Sequence, residues 1–317
     1  MFPISRRRFN FAAAVMATGG ALQPLRTFAS DPASAGCTLG FSTYGMKDLS
    51  TEDALRCIAS VGFDSVEIVV RDGWDFDSAS VDRERRARIR SILNETGLKL
   101  AALMEHVFPA PRQQAVLERL RLAADLAHEL APQAPPLVQT VLGNGVFEEQ
   151  KTMLRDALGA WAEVARQTGT TIAIKPHRGG VVSQPAEAIW LLEQVGAGRW
   201  LRMVYDYSHY AFRGLDLTET ISQALPYTAH VAVKDAVQEG TRVVFRLPGS
   251  SGTIDYPHMF RQFFAGGYRG DFNCEVSGMV WSQAGYDPVS AAQQCYRAMR
   301  RAFVTAGVPR VAAGRRE

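Results

Sequence analysis

The chain has 317 residues, 47% of them hydrophobic and 21% charged, which is apolar content for one large core or two modest ones and too much for a disordered chain. The net charge is only +3, and its basic excess lies largely at the two ends, in Arg6, Arg7 and Arg8 and in Arg310, Arg315 and Arg316, so a nucleic-acid surface is not expected. Cys37, Cys57, Cys274 and Cys295 form no CxxC pair and no zinc-like cluster, and buried free thiols are the expected state.

The first 35 residues differ from the rest. A basic start, "SRRRFNF", leads into the small apolar run "AAAVMATGGAL" and then "ASDPASA", the pattern of an export signal. Arg6 and Arg7, after Ser5 and before Phe9, resemble the twin-arginine motif, so the twin-arginine export machinery is an expected partner and the periplasm or another exported location the expected destination. The apolar run is too short for a stable span, and small-residue cleavage sites fit after Ala29 or Ala35. The expected organisation is a signal peptide over 1–35, one domain over 36–308 and a basic tail over 309–317.

From residue 37 onward, short β-rich runs begin near Thr38, Ser65, Lys99, Pro136, Thr171, Arg202, Thr228 and Asp271, each followed by a polar turn and a stretch of helical periodicity. "STEDALRCIASVG" reads as a helix capped by Ser50 or Thr51, with Glu52 and Asp53 at the positive end of its dipole. "FEEQKTMLRDALGAWAEVARQTG" reads as a longer one that stops at Gly169. Eight strand and helix alternations without a long linker predict a single closed (β/α)8 TIM barrel. The open doubly wound sheet is the competing architecture, and no strand here is followed by G-x-G-x-x-G.

Active sites of such barrels form at the C-terminal ends of the strands, which makes polar residues there the candidates. In chain order these are Tyr44, Glu67, Glu105 and His106, Asn144, Lys175 and His177, Asp206 and His209, His230 and Lys234, and Glu275. Arg242 and Arg246, in "GTRVVFRLPGSSG", either reach over the mouth toward a hydroxyl-rich or anionic substrate or belong to a solvated β-hairpin. Trp74, Phe76, Tyr207, Tyr210 and Trp281 suit stacking on a sugar ring or packing in the core.

"ASVGFDSVEI", "YDYSH", "HVAVKD" and "TIDYPHMFRQFFAGGYRGDFNCEV", in this order and spacing, resemble the sugar phosphate isomerase/epimerase group of xylose isomerase-like barrels, over about residues 38 to 305. That resemblance implies a small carbohydrate as substrate, with contacts after strand three at Glu105 and His106, and leaves a homo-oligomer open; Lys234 and Arg246 are further expected contacts from their positions near the mouth. In metal-dependent members a divalent cation such as manganese is held by a glutamate after strand five, an aspartate after strand six, a histidine on strand seven and a glutamate on strand eight. Asp206 and Glu275 occupy two of these places, but Lys175 and Ala232 occupy the other two. An ammonium about 4 Å from a dication is repelled by roughly 8 kcal/mol at an effective dielectric of 20. Three readings follow: Lys175 replaces the metal as electrophile, the ion moves to His177, Asp206, His209 and Glu275, or catalysis is lost and binding kept. The leading expectation is proton abstraction next to a carbonyl by Glu275 and Asp206 with Lys175 or a displaced metal at the developing oxyanion. β-Elimination from a 3-keto-glycoside and plain carbohydrate binding are the alternatives.

Overall fold

The computed structural model describes residues 36–110 and 113–311. The expected signal peptide and its cleavage sites lie outside these residues. Eight parallel strands close into a barrel: β1 (Thr38–Ser42), β2 (Ser65–Val69), β3 (Lys99–Met104), β4 (Leu137–Thr140), β5 (Ile172–Ile174), β6 (Leu201–Tyr205), β7 (Thr228–Val233) and β10 (Asp271–Cys274). The ring closes where β1 pairs with β10, Phe41 opposite Cys274, and with β2, Ser42 opposite Glu67. Helices α1 (Thr51–Val61), α2 (Arg83–Thr96), α3 (Gln114–Leu130), α4 (Phe147–Thr168), α5 (Pro185–Val195), α6 (Leu217–Ala224), α7 (Tyr256–Ala265) and α9 (Pro288–Ala306) cover the outside, and a single turn, α8 (Gly278–Trp281), follows β10. Among the described residues no helix is long and apolar enough to cross a membrane.

Local chemistry sets the element ends. Ser50 caps α1 by accepting from the Asp53 N–H at 3.1 Å, and Gly62, at φ 105°, ends it. Gly169 ends α4 in the left-handed region at φ 71°, where a side chain would be strained.

Strand alternation then sorts the side chains. Outward residues such as Phe41, Ile68, Ile174, Tyr205 and Phe272 pack under the helices in one continuous apolar core. Inward residues are unusually polar: Glu67, Gln139, His230 and Asn273 are all fully or nearly fully buried. Gln139 donates to Glu67 Oε2 at 2.5 Å, and His230 Nε2 lies 3.5 Å from the same oxygen. At the lower rim Lys99 meets Asp271 at 3.0 Å.

Two features sit outside the eight repeats. "GTRVVFRLPGSSG" contributes to an antiparallel hairpin, β8 (Asp235–Glu239) and β9 (Arg242–Arg246), turning at Gly240. Its base is fixed by Asp235, whose carboxylate accepts from the Gly249 and Ser251 N–H groups at 3.0 and 2.7 Å. The other feature involves the first residues of the expected basic tail. They pack on the barrel, Cys37 bridging Arg310 in parallel, while Arg310 binds Asp64 at 2.8 Å and the Tyr296 hydroxyl at 3.0 Å.

Gly40 shows how tightly the interior is filled, because a Cβ there would stand 2.6 Å from Ser65 Oγ and 2.8 Å from Asn273 Oδ1. Gly40→Ala is therefore expected to destabilise the fold by about 1–3 kcal/mol. An unchanged urea midpoint would show that this layer can relax.

Candidate functional site: a lysine and carboxylate cluster

Lys175, Asp206, Lys234 and Glu275 each stand just beyond, or one residue beyond, the end of their strand. The strands β5, β6, β7 and β10 are consecutive in the ring, so the charges alternate in sign around a quarter of the barrel mouth or more. Lys175 Nζ lies 2.6 Å from Glu275 Oε2 and 3.0 Å from Asp206 Oδ2. Lys234 Nζ lies 2.7 Å from Glu275 Oε1 and 3.2 Å from Asp206 Oδ2. All four are buried, with exposures of 3, 0, 3 and 5% in chain order.

Burial alone would discharge these groups, but the partners outweigh it. Desolvation works against the Lys175 ammonium, and Glu275 and Asp206 hold it above the ordinary lysine range. Desolvation likewise raises both carboxyls, yet Lys234 and Lys175 hold Asp206, and Lys175 and Lys234 hold Glu275, well below the usual carboxylate range. Lys175, Asp206 and Glu275 thus stay charged in a dry place.

His177 and His209 stand beside this cluster with ring centroids 4.1 Å apart. Burial first, and the Lys234 and Lys175 charges second, push His177 down to about 4. His209 is driven well below its ordinary value by burial and Lys234. Its Nδ1 accepts the Arg178 N–H at 3.0 Å, so the neutral ring carries its proton on Nε2, which faces Asp206 Oδ2 at 3.4 Å and Lys234 Nζ at 3.2 Å.

Above the cluster opens a cavity of about 410 Å³ whose lining includes Lys175, Lys234, Glu275, His177, Glu105 and His106. That volume is within the range of small-molecule sites. Asp206 and His209 lie behind this lining. Glu105 is tied to Arg119 at 2.8 Å and accepts the His106 N–H at 2.9 Å, and burial raises its carboxyl despite these bonds. Burial, followed by the Arg71 charge, lowers His106.

Other candidates lie elsewhere. Arg246 stands opposite Asp235 in the hairpin register, but its half-exposed guanidinium pairs with the exposed Glu239, and it is not among the lining residues. The hairpin instead sends Phe245 to the cavity, its ring 4.7 Å from Lys234 Nζ and 5.0 Å from the His209 ring. His230 sits a layer lower, fully buried, with neither ring nitrogen hydrogen-bonded among the described residues. Phe76 and Tyr210 are fully buried in the core, whereas Trp74 and Trp281 form an aromatic group with Tyr44. Asn144 lines the cavity. Among the lining residues that escaped the sequence reading are Gln139 and Arg71. Arg71 had left a signal, a charged residue directly after "SVEIVV".

The chain matches the family described as xylose isomerase-like TIM barrel over residues 55–301. It belongs to that family. A human protein named putative hydroxypyruvate isomerase is 24% identical over 259 residues, 74% of this chain and 88% of the relative. Among solved structures, L-ribulose 3-epimerase superposes with a TM-score of 0.67 at 17% identity, covering 86% of this chain and 96% of that one. A xylose isomerase-like TIM barrel protein from Mycobacterium smegmatis, in complex with magnesium, gives a TM-score of 0.64 at 17% identity over 85% of this chain and 97% of that one.

Metal-bound relatives make the fit of a cation a question for these residues. Among the described residues no group of three or more His, Cys, Asp or Glu side chains is placed to hold a metal ion. The displaced set of His177, Asp206, His209 and Glu275 is not assembled, since His209 uses Nδ1 for a backbone bond and turns Nε2 toward Lys234. The space against Asp206 and Glu275 is filled by two ammoniums, and the residues present do not fit a dication.

Removing one ammonium leaves two buried carboxylates to share the other. Lys175→Met is expected to lower stability by about 3–5 kcal/mol, read from the denaturant midpoint. A loss below about 1 kcal/mol would mean that water or Lys234 satisfies the pair. The pH response has a definite sign. His177 and His209 titrate below their unfolded value, and so do Asp206 and Glu275, so the unfolded chain binds more protons on acidification. Stability should be complete above the ordinary imidazole value and fall as pH drops from about 6.5 toward 4. His177→Gln should flatten the upper part of that decline, and an unchanged slope would place the proton uptake elsewhere.

Proposed function

We propose that the chain is a metal-independent isomerase of a small hydroxy-carbonyl substrate, in which the Lys175 and Lys234 ammoniums stabilise the enediolate oxygens and Glu275 carries the proton. The observation behind this is the convergence of both ammoniums on Glu275 at 2.6 and 2.7 Å, on the floor of a cavity that all three line. Two fixed ammoniums supply the double positive charge that a Lewis acid would otherwise bring, and they supply it in a water-poor site where such charges act strongly.

In this reading Glu275 takes a proton from the carbon next to the carbonyl as the carbonyl oxygen becomes an enediolate oxygen facing the lysines. Returning that proton to the neighbouring carbon, while a hydroxyl proton crosses between the two oxygens, completes an isomerisation. His177, held neutral beside the cavity, suits that second transfer. Asp206, behind the lining, acts as the counter-charge that keeps both lysines in place. The names of the human relative, an isomerase, and of the ribulose epimerase are in keeping with chemistry at a carbon beside a carbonyl. The twin-arginine pattern over residues 5–9 adds that the protein works after export in a folded state.

The clamped carboxylates also favour a second reading, binding without turnover, because neither is a strong base while both lysines touch it. Loss of α-proton signal in D2O, followed by NMR on L-ribulose and hydroxypyruvate, separates the two. Exchange that survives dialysis against EDTA within about twofold, and falls at least about 100-fold in a folded Glu275→Gln variant, is the expected outcome. Exchange abolished by EDTA and restored by manganese would overturn the lysine-pair reading. Sugar binding with no exchange on either compound would leave a binding barrel.

A further inference from the structure

We propose that Arg71 is an anion anchor, and that the substrate is a sugar derivative ending in a carboxylate or phosphate several carbons away from the reacting carbonyl. This rests on the reading of the lysine cluster as the reacting end.

The argument starts from charge. Among the groups lining the cavity, three are cationic, Arg71, Lys175 and Lys234, and two are carboxylates, Glu105 and Glu275. The lysines are balanced by Glu275 and Asp206, and Glu105 by Arg119. Arg71 is left with no carboxylate within 4.0 Å among the described residues. Its guanidinium instead lies 5.1 Å from the Tyr44 ring centroid and 4.7 Å from that of Trp74, two rings stacked 5.2 Å apart. Such packing fixes the plane of the guanidinium while its N–H fork keeps its donors for an oxyanion.

Topology supplies the distance. Around the closed ring β2 stands four places from β6, which is directly across the barrel, and Lys175 and Lys234 follow the strands on either side of β6. Arg71 follows β2. The anchor and the lysine pair therefore face each other over the mouth of the same cavity. Opposite walls suit a five- or six-carbon chain with a terminal anion better than a compound whose anionic group adjoins its carbonyl. The Tyr44 and Trp74 platform lies on the anchor side.

The test is calorimetric titration with D-glucose, D-glucuronate and D-glucose 6-phosphate, which share the carbonyl end and differ at the far carbon. Wild-type protein is expected to bind at least one anion about tenfold or more tightly than glucose, and the tighter anion tells carboxylate from phosphate. Arg71→Met should erase that preference, and Arg71→Lys should keep part of it, with thermal melts confirming that both fold. Equal binding of glucose and the anions, binding of none, or a preference that survives Arg71→Met would overturn the anchor. Should the variants not fold, the wild-type preference decides alone: it should shrink as salt is raised, and a salt-independent preference counts against Arg71. Arg71-dependent anion binding with no exchange of the C2 proton in D2O would instead remove the catalytic reading and leave the anchor intact.

Discussion

Two ammonium groups are tolerated at the centre of this barrel only because two carboxylates meet them at contact distance, and that requirement organises everything above the strands. Each ion costs several kcal/mol to dehydrate, a cost that attraction recovers only with close geometry on every side. Consecutive strands meet that condition by presenting Lys175, Asp206, Lys234 and Glu275 in alternating sign. A cluster built this way is poor economy as a source of stability, since apolar side chains of the same volume would do as well or better. Its retention at a cavity floor points to work on a ligand.

The layer beneath shows how the lysines are accommodated. Residues two positions earlier on the same strands are Ala173, Val204, Ala232 and Asn273, small or uncharged side chains inside the barrel. A long lysine stem can lie over such a layer with its head at the next level. Ala232 thus has a positive role: a histidine there would compete for the space under Lys234 that the apolar layer now fills. On the proposed lysine-pair reading the departures at 175 and 232 are linked, because ammoniums in place of a metal remove the need for an imidazole and create a need for room.

Much of the architecture was legible because β-rich runs and caps are local. Thr38, Ser65, Lys99, Thr228 and Asp271 begin their strands as read, and Gly169 stops α4. The closed barrel followed from eight alternations with no long linker. The site was legible only in part. Lys175 stood out as a charge leaving a buried strand, but Lys234 was read as a substrate contact, and nothing local tells that β5 and β7 flank β6 so that both lysines reach the same two acids. Arg246 misled because a cation near a barrel mouth looks like a ligand contact until the folded hairpin brings its guanidinium to Glu239. Arg310, read only as part of a basic end, binds Asp64, a partner distant in sequence. Long-range pairing decided each case.

An ammonium pair differs from a metal in one consequence for catalysis. A metal can bind substrate oxygens at open positions while keeping its protein ligands, whereas the Lys175 and Lys234 ammoniums each donate to Glu275 and lie within 3.2 Å of Asp206. A substrate carbonyl arriving at the floor competes with the carboxylates for the same two ammoniums. As a lysine proton turns toward the substrate, Glu275 loses part of the interaction that holds its carboxyl below the usual range, and its basicity rises. Asp206, with no access to the cavity, keeps its share and holds the lysines in position. The base would then be weak in the empty site and stronger once an electrophile has been engaged, so the proton is removed only when the oxygens that receive its charge are already in place. The clamped ground state, which taken alone argues for an inert site, is on the proposed mechanism the resting half of a switch thrown by substrate.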